Sequence, residues 1–338
     1  MIRKVTALLV CVGLLAIASY VYIGQKMELF INQTLALKQE RIYTVNPGES
    51  FNRVLSSLSQ DQLILTSKLN SLVHRFYPEM VEVKAGTYLL IPGMTLKQAL
   101  ELLKTGKEHQ FAITFVEGST FLEWRELLQQ SPHLEHKTTD LSEAEIAEQI
   151  GVKNKKLEGL LLAETYHYTV GTSDLDILQR AANQLQKVLE EQWAENDKKL
   201  PLNSPYEALI LASIIEKETA LESERQRIAA VFVNRLNKRM RLQTDPTVIY
   251  GMGNKYDGNI RKKDLRTPTP YNTYTIFGLP PTPIAMPGEA SIEAALNPED
   301  SRYLYFVASG DGGHVFSKTL AEHNRAVRAY LKKLRSRK

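Results

Sequence analysis

From Val5 to Gly24 the chain runs 20 residues without a charged side chain, and this stretch limits the architecture more than any other. A helix of that length rises about 30 Å, the thickness of a bilayer's hydrocarbon core. Arg3 and Lys4 precede the run, which places the N-terminus in the cytoplasm and the bulk of the chain outside it, although Lys26 comes soon after. A cleaved signal peptide is the competing reading, because Ala16-Ile17-Ala18 has the small residues of a cleavage site. The apolar Tyr20-Val21-Tyr22-Ile23 continues past that point and completes a span, so residues 1–25 are expected to form a transmembrane signal anchor. Cys11 lies within the run, but Leu9 and Val10 are not the small residues that lipoprotein processing prefers. As the only cysteine, it excludes an intrachain disulfide framework and a thiolate metal site.

A chain of 338 residues with 43% hydrophobic content is long enough to add two further domains to that anchor. The net charge of +4 does not point to nucleic acid. Lys332, Lys333, Arg335, Arg337 and Lys338 gather at the C-terminus and leave the remainder near neutral, with no basic groove or helix face.

Residues 26–41 mix Met27, Leu29, Phe30, Ile31, Leu35 and Leu37 with polar side chains and read as a helical or extended stalk. A short pattern then recurs as Pro47-Gly48-Glu49-Ser50-Phe51, Pro92-Gly93-Met94-Thr95-Leu96 and Glu117-Gly118-Ser119-Thr120-Phe121. Each copy reads as strand, glycine turn and helix start, with Ser50, Thr95 or Thr120 as the cap. Thr95 with Gln98, and Thr120 with Glu123, have capping-box spacing. Val54, Leu55 and Leu58, like Ala99, Leu100 and Leu103, supply the buried helix faces, and Gly86–Ile91 returns as a strand. Residues 42–108 therefore form a small α+β module, and 109–338 a larger α+β domain. In the latter, 174–193 reads as a long amphipathic scaffold helix with Leu178, Ala182, Leu185, Val188 and Leu189 inward. His133 and His136 would sit one turn apart on a helix, but Pro132 argues for a loop and no third metal ligand is near.

Chemistry concentrates at Leu211-Ala212-Ser213-Ile214-Ile215-Glu216-Lys217-Glu218-Thr219, which drops two carboxylates into the end of an apolar helical run. Glu218 falls one turn on from Ile214 and Ile215 and inherits the bulkier apolar surroundings. Desolvation raises a carboxyl pKa, and a glutamic acid kept neutral near pH 7 can protonate a glycosidic oxygen. A helix-end glutamate paired with Lys217 or Arg225 is the structural alternative. Ser223 with Gln226 has capping-box spacing, so the chain is expected to break after Glu218 and restart a helix.

Ordinary glycosidases need a second carboxylate. Asp245, Glu164 and Glu222 are the candidates; Asp245 before Pro246 also reads as an N-cap. Tyr271, Asn272, Thr273 and Tyr274 offer hydroxyls, an amide and ring faces for lining a sugar groove, or a turn with packed tyrosines. Gln243 and Asn234 would bond N-acetyl groups or satisfy buried backbone. The four prolines within Gly278–Gly288 give a rigid cleft wall. Tyr303–Ala308 and His314–Phe316 flank Asp311-Gly312-Gly313 as a β-hairpin, with His314 a substrate contact or a structural imidazole. Thr319 with Glu322 caps a final helix.

The ordered set Val231-Phe232-Val233-Asn234-Arg235-Leu236, Leu242-Gln243-Thr244-Asp245-Pro246-Thr247, Pro270-Tyr271-Asn272-Thr273-Tyr274, Gly278-Leu279-Pro280-Pro281-Thr282-Pro283 and Gly313-His314-Val315-Phe316-Ser317, with Glu216-Lys217-Glu218, resembles the MltG/YceG family of endolytic murein transglycosylases. One departure is Ala163-Glu164 before Thr165, where the family carries Pro-Asp. The resemblance implies a LysM-like first module, a YceG-like catalytic domain in the periplasm of an inner-membrane protein, and Glu218 as the catalytic acid. It further implies peptidoglycan glycan strands as substrate, no cofactor or metal, and peptidoglycan synthases as candidate partners. Asn234, Gln243, Asp245, Tyr271, Asn272, Thr273, Tyr274 and His314 are the substrate-binding candidates. A lysozyme-like hydrolase with a second carboxylate, or a non-catalytic peptidoglycan-binding scaffold, are the alternatives.

Overall fold

The computed structural model describes residues 2–196 and 199–336, so Arg337 and Lys338 of the basic C-terminus lie outside the described residues. The chain divides into two compact units, Met1–Phe111 and Ala112–Lys338.

In the first unit, α1 (Ile2–Ile31) carries the whole apolar run in one helix. Arg3–Ile31 is long and apolar enough to cross a membrane, and none of its most apolar window is buried inside the protein. The helix does not give way to a separate stalk after residue 25. Met27, Phe30 and Ile31 recur at helical spacing on its last turns, and with Leu35 they are buried in the core of this unit. The segment read as a spacer is thus part of a folded body.

β1 (Arg41–Val45) and β2 (Gly86–Leu90) pair antiparallel, with Arg41 opposite Leu90 and Val45 opposite Gly86. Between and after them come α2 (Phe51–Gln60), α3 (Val73–Phe76) and α4 (Leu96–Thr105). The expected inward faces of α2 and α4 are buried throughout. Ser50 accepts from the Arg53 N–H, while Thr95 and Gln98 cap one another reciprocally. Gly106 ends α4 at φ 71°, a left-handed conformation that costs glycine no Cβ clash.

β3 (Phe111–Thr114) starts on the last residue of the first unit and runs into the second, where it pairs with β4 (Thr165–Tyr168), and between them come α5 (Phe121–Gln130) and α6 (Glu143–Gln149). Next come α7 (Asp174–Ala194), α8 (Pro205–Glu218), α9 (Glu222–Asn237), α10 (Asp245–Met252) and α11 (Glu289–Leu296). The chain closes with the hairpin β5 (Tyr305–Ala308) and β6 (His314–Ser317), then α12 (Leu320–Ser336). Every residue of α8 from Ala208 to Ile215 is buried, because α7, α9, α10 and α11 all pack against it. A helix apolar on all sides is stable only at such a centre. Its last turn carries Glu216 and Glu218 out of that core, which fixes where the carboxylates emerge.

Candidate active site

Glu218 is the last residue of α8, and Thr219 caps it in an extended conformation with its N–H on the Ile215 carbonyl. Only three residues separate α8 from α9, and the Thr219 hydroxyl accepts from the Leu221 N–H within that turn. The restart therefore falls earlier than the expected cap at Ser223. Leu221 occupies the N-cap position without a side-chain bond, and Ser223 lies inside the first turn.

The Glu218 carboxyl is partly buried, and its Oε1 accepts from the Thr244 hydroxyl. Burial pushes its pKa up, and neighbouring Asp245 pushes the same way. The Thr244 hydrogen bond, His314 and the Arg235 guanidinium oppose that rise. Arg235 is itself buried, with Nε on the Leu304 carbonyl at 2.6 Å and a terminal nitrogen on the Leu242 carbonyl at 2.7 Å. Its positive charge is thereby fixed in place behind the carboxyl.

Thr244, not Asp245, is the N-cap of α10; Asp245 is the first helical residue and Pro246 comes next. The shift by one position leaves the Asp245 carboxylate exposed, where it accepts from the Tyr274 hydroxyl at 2.6 Å. Burial and that acceptor raise the Tyr274 pKa, so its phenol stays a donor. The other two candidates for a second carboxylate, Glu164 and Glu222, are both exposed.

His314 opens β6, with its Nδ1 bound to Glu224 Oε2 at 2.8 Å and its backbone N–H to Glu224 Oε1 at 2.9 Å. Glu224 sits in the first turn of α9 and holds the imidazole, a partnership separated by 90 residues in sequence. Asn234 directs its amide nitrogen to the Ser301 and Tyr303 carbonyls at 2.9 and 3.0 Å, tying α9 to the approach of β5. Asn272 and Thr273 are fully buried. The Asn272 amide binds the Asp264 and Thr267 carbonyls and accepts from the Tyr274 N–H, while the Thr273 hydroxyl accepts from the Thr244 N–H. Asn272 thus shapes the turn that presents Tyr274, and Thr273 ties that turn to Thr244. Tyr271 is half-buried, bonded to the Thr282 hydroxyl at 2.8 Å and edge-on to Tyr250. Gln243 is exposed at φ 53°, with its N–H on the Thr273 carbonyl.

An open cleft of about 660 Å³ runs beside Glu218, lined by Glu117, Gly118, Glu216, Lys217 and Arg225 among others. Its floor is pinned by Lys217 Nζ on the Gly118 carbonyl at 2.9 Å and by the Gly288 N–H on Glu216 Oε2 at 3.0 Å. The segment expected as a cleft wall passes underneath, since Pro283 to Gly288 are buried and the Ile284 N–H binds the Ser213 hydroxyl. Glu117 lies 3.9 Å from Arg225, and burial, with Glu216 acting in the same sense, raises its pKa. Among the described residues no group of three or more His, Cys, Asp or Glu side chains is arranged to hold a metal ion.

Two acidic residues carry no chemical signal in the sequence. Glu117 stands in the third turn repeat, where the glycine and the helix cap account for the pattern without it. Glu158 is buried at 7% exposure, with Oε1 accepting from the Phe121 N–H at 3.1 Å and Oε2 from the Tyr250 hydroxyl at 3.3 Å. Burial pushes its pKa up to about 7, against the pull of those two hydrogen bonds.

The family model of the YceG-like family matches residues 43–329. A Bacillus subtilis protein named endolytic murein transglycosylase is 34% identical over 302 residues, covering 84% of this chain and 83% of that protein. A Streptococcus pneumoniae protein of the same name is 34% identical over 179 residues, 51% of this chain and 32% of the longer pneumococcal one. A crystal structure of a YceG-like protein from Listeria monocytogenes superposes with a TM-score of 0.55 at 33% identity, covering 86% of this chain and 99% of that one. With the family matched across most of its length, the chain belongs to the YceG-like family.

Proposed function

We propose that this chain is a membrane-anchored endolytic murein transglycosylase in which Glu218 is the single acid–base residue. What supports this most is the placement of one partly buried, pKa-raised carboxyl at the rim of an open cleft, bonded to Thr244 and flanked by Asp245. The neutral Glu218 gives its proton to the oxygen of the bond between N-acetylmuramic acid and N-acetylglucosamine, and the bond from that oxygen to the muramoyl anomeric carbon breaks. The carboxylate so formed then takes the proton of the muramoyl 6-hydroxyl as that oxygen attacks the same carbon. A 1,6-anhydro ring closes without water, and Glu218 regains its starting form. An acceptor within the same sugar has a high effective molarity, which lessens the need for a second activating carboxylate.

In this reading Asp245 and Tyr274 orient the sugar beside the acid, with Tyr271, Gln243 and the Glu224-held His314 as further polar contacts. Asn234, Asn272 and Thr273 support the site from behind. The antiparallel β1–β2 pair with α2 and α3 between them is consistent with a LysM-like module over 42–108 that grips glycan, with 109–338 as the catalytic domain. The N-terminal helix then acts as an inner-membrane anchor with the cytoplasm on its Arg3 side. Tethered there, the cleft reaches nascent strands near peptidoglycan synthases and limits their length.

A second reading has a specific observation in its favour. Asp245 stands next to Glu218 and is exposed, so it is placed to activate a water in a lysozyme-like hydrolysis. The two differ in the ends they leave, anhydromuramoyl or reducing, and product analysis separates them. A scaffold without catalysis predicts that Glu218→Gln retains full function in cells, whereas the lytic reading predicts its loss.

A further inference from the structure

We propose that Glu158 is a positioning residue for the reaction, holding α10 so that Thr244 and Asp245 meet Glu218. The inference rests on the transglycosylase reading of Glu218 but concerns a residue outside the cleft lining.

The carboxyl of Glu158 bridges α5 and α10. Its Oε1 receives the Phe121 N–H, the first of α5, and its Oε2 the hydroxyl of Tyr250 on the far turn of α10. The ring of Tyr250 meets Tyr271 edge-on at 4.9 Å, and Tyr271 is bonded to Thr282. The same helix begins at Asp245, and its N-cap is the Thr244 that donates to Glu218. A helix moves as a rigid element, so a shift at Tyr250 is carried about one and a half turns to the groups on the acid. Displacements of about 1 Å at a reacting centre cost on the order of 10²-fold in rate.

Charge bears on this bridge from each neighbouring element. Glu123 on α5 and Glu143 on α6 disfavour ionisation of Glu158, Glu158 in turn acts on the Lys156 ammonium two residues before it, and Tyr250, backed by Tyr271, donates to it from α10. Both hydrogen-bond partners of Glu158 are donors. The ionised carboxylate accepts from both, with the strength of charge-assisted bonds. A neutral carboxyl must instead turn its own O–H onto the Tyr250 oxygen, reversing that bond and weakening the hold on α10. Glutamine reproduces the neutral pattern at every pH, because its amide N–H occupies the place of the acid O–H.

The test uses the full chain in detergent with isolated glycan strands. The ratio of wild-type kcat to that of Glu158→Gln is measured from pH 5 to 9 after the Glu218 limb of each enzyme has been fitted and divided out, because displacing Thr244 and Asp245 moves that limb. The expected ratio is near unity at low pH and rises about 3- to 10-fold through a midpoint near 7. In parallel, hydrogen exchange of residues 245–252 is compared between wild type, Glu158→Gln and Glu158→Ala, with exchange in α10 rising at least about tenfold in the alanine variant. A flat ratio, or α10 exchange unaltered in Glu158→Ala, overturns the inference. Should wild type give no glycan cleavage at all, the functional reading fails on its own, and the exchange comparison still decides the role of Glu158.

Discussion

The hydroxyl of Thr244 donates to the carboxyl of Glu218, joining the N-cap of one helix to the last residue of another 26 positions earlier. The two helix ends oppose one another electrostatically. The carbonyl end of α8 favours the neutral acid, while the amide end of α10 favours the carboxylate. An acid that must give and retake a proton in one cycle works best when neither form dominates.

Substitutions on either side of that balance are expected to move the pH profile in opposite directions. Thr244→Val removes a hydrogen bond that lowers the Glu218 pKa, so the alkaline limb of kcat/KM should move to higher pH. Asp245→Asn removes a charge that raises it, so the limb should move to lower pH. Movement of both limbs in the same direction contradicts the assignment of that limb to Glu218.

Stability should carry the mark of Glu158. Its folded pKa of about 7 lies above the ordinary glutamate value of 4.5. The native state therefore holds a proton that the unfolded chain releases, and stability present below about pH 4.5 is lost as pH rises to about 7. At ~1.4 kcal/mol per unit the loss is on the order of 3 kcal/mol, the desolvation of the buried carboxylate outweighing the gain from its two strengthened hydrogen bonds. Urea unfolding at pH 5 and pH 8 should show this decline in wild type and a much smaller one in Glu158→Gln. An equal decline in both assigns it to other groups.

Asn272→Ala is expected to act on the fold. It leaves two carbonyls and one N–H without the amide that now serves them in a fully buried turn. The expected cost is about 2–3 kcal/mol, read as a lower Tm, with KM for glycan little changed at temperatures where the variant is folded. A raised KM without loss of stability would instead make Asn272 a sugar contact.

Local signals were legible in the sequence because they act within one turn. The reciprocal caps of Thr95 with Gln98, Thr120 with Glu123 and Thr319 with Glu322 all form, as does the end of α8 at Glu218. Periodicity also identified the inner faces of α2, α4 and α7. Two caps are displaced, since Thr219 satisfies the turn after α8 and Thr244 preempts Asp245. What no local rule reaches is a partner chosen by tertiary packing. Glu224 with His314 and Tyr250 with Glu158 lie 90 and 92 residues apart. Nor does residue type give direction: Asn272 and Thr273 have the chemistry of groove residues but point into the protein. The continuation of α1 into the first core was hidden for a related reason, because its apolar residues read equally well as span or stalk.

The central claim concerns the chain ends that the reaction leaves behind, so the decisive measurement is mass spectrometry of products from purified glycan strands treated with the detergent-solubilised full chain, beside its Glu218→Gln variant. The expected result is internal cleavage to 1,6-anhydromuramoyl ends, reduced by about 10²-fold or more in the variant. New reducing ends in their place, or anhydro ends undiminished by Glu218→Gln, would contradict the account.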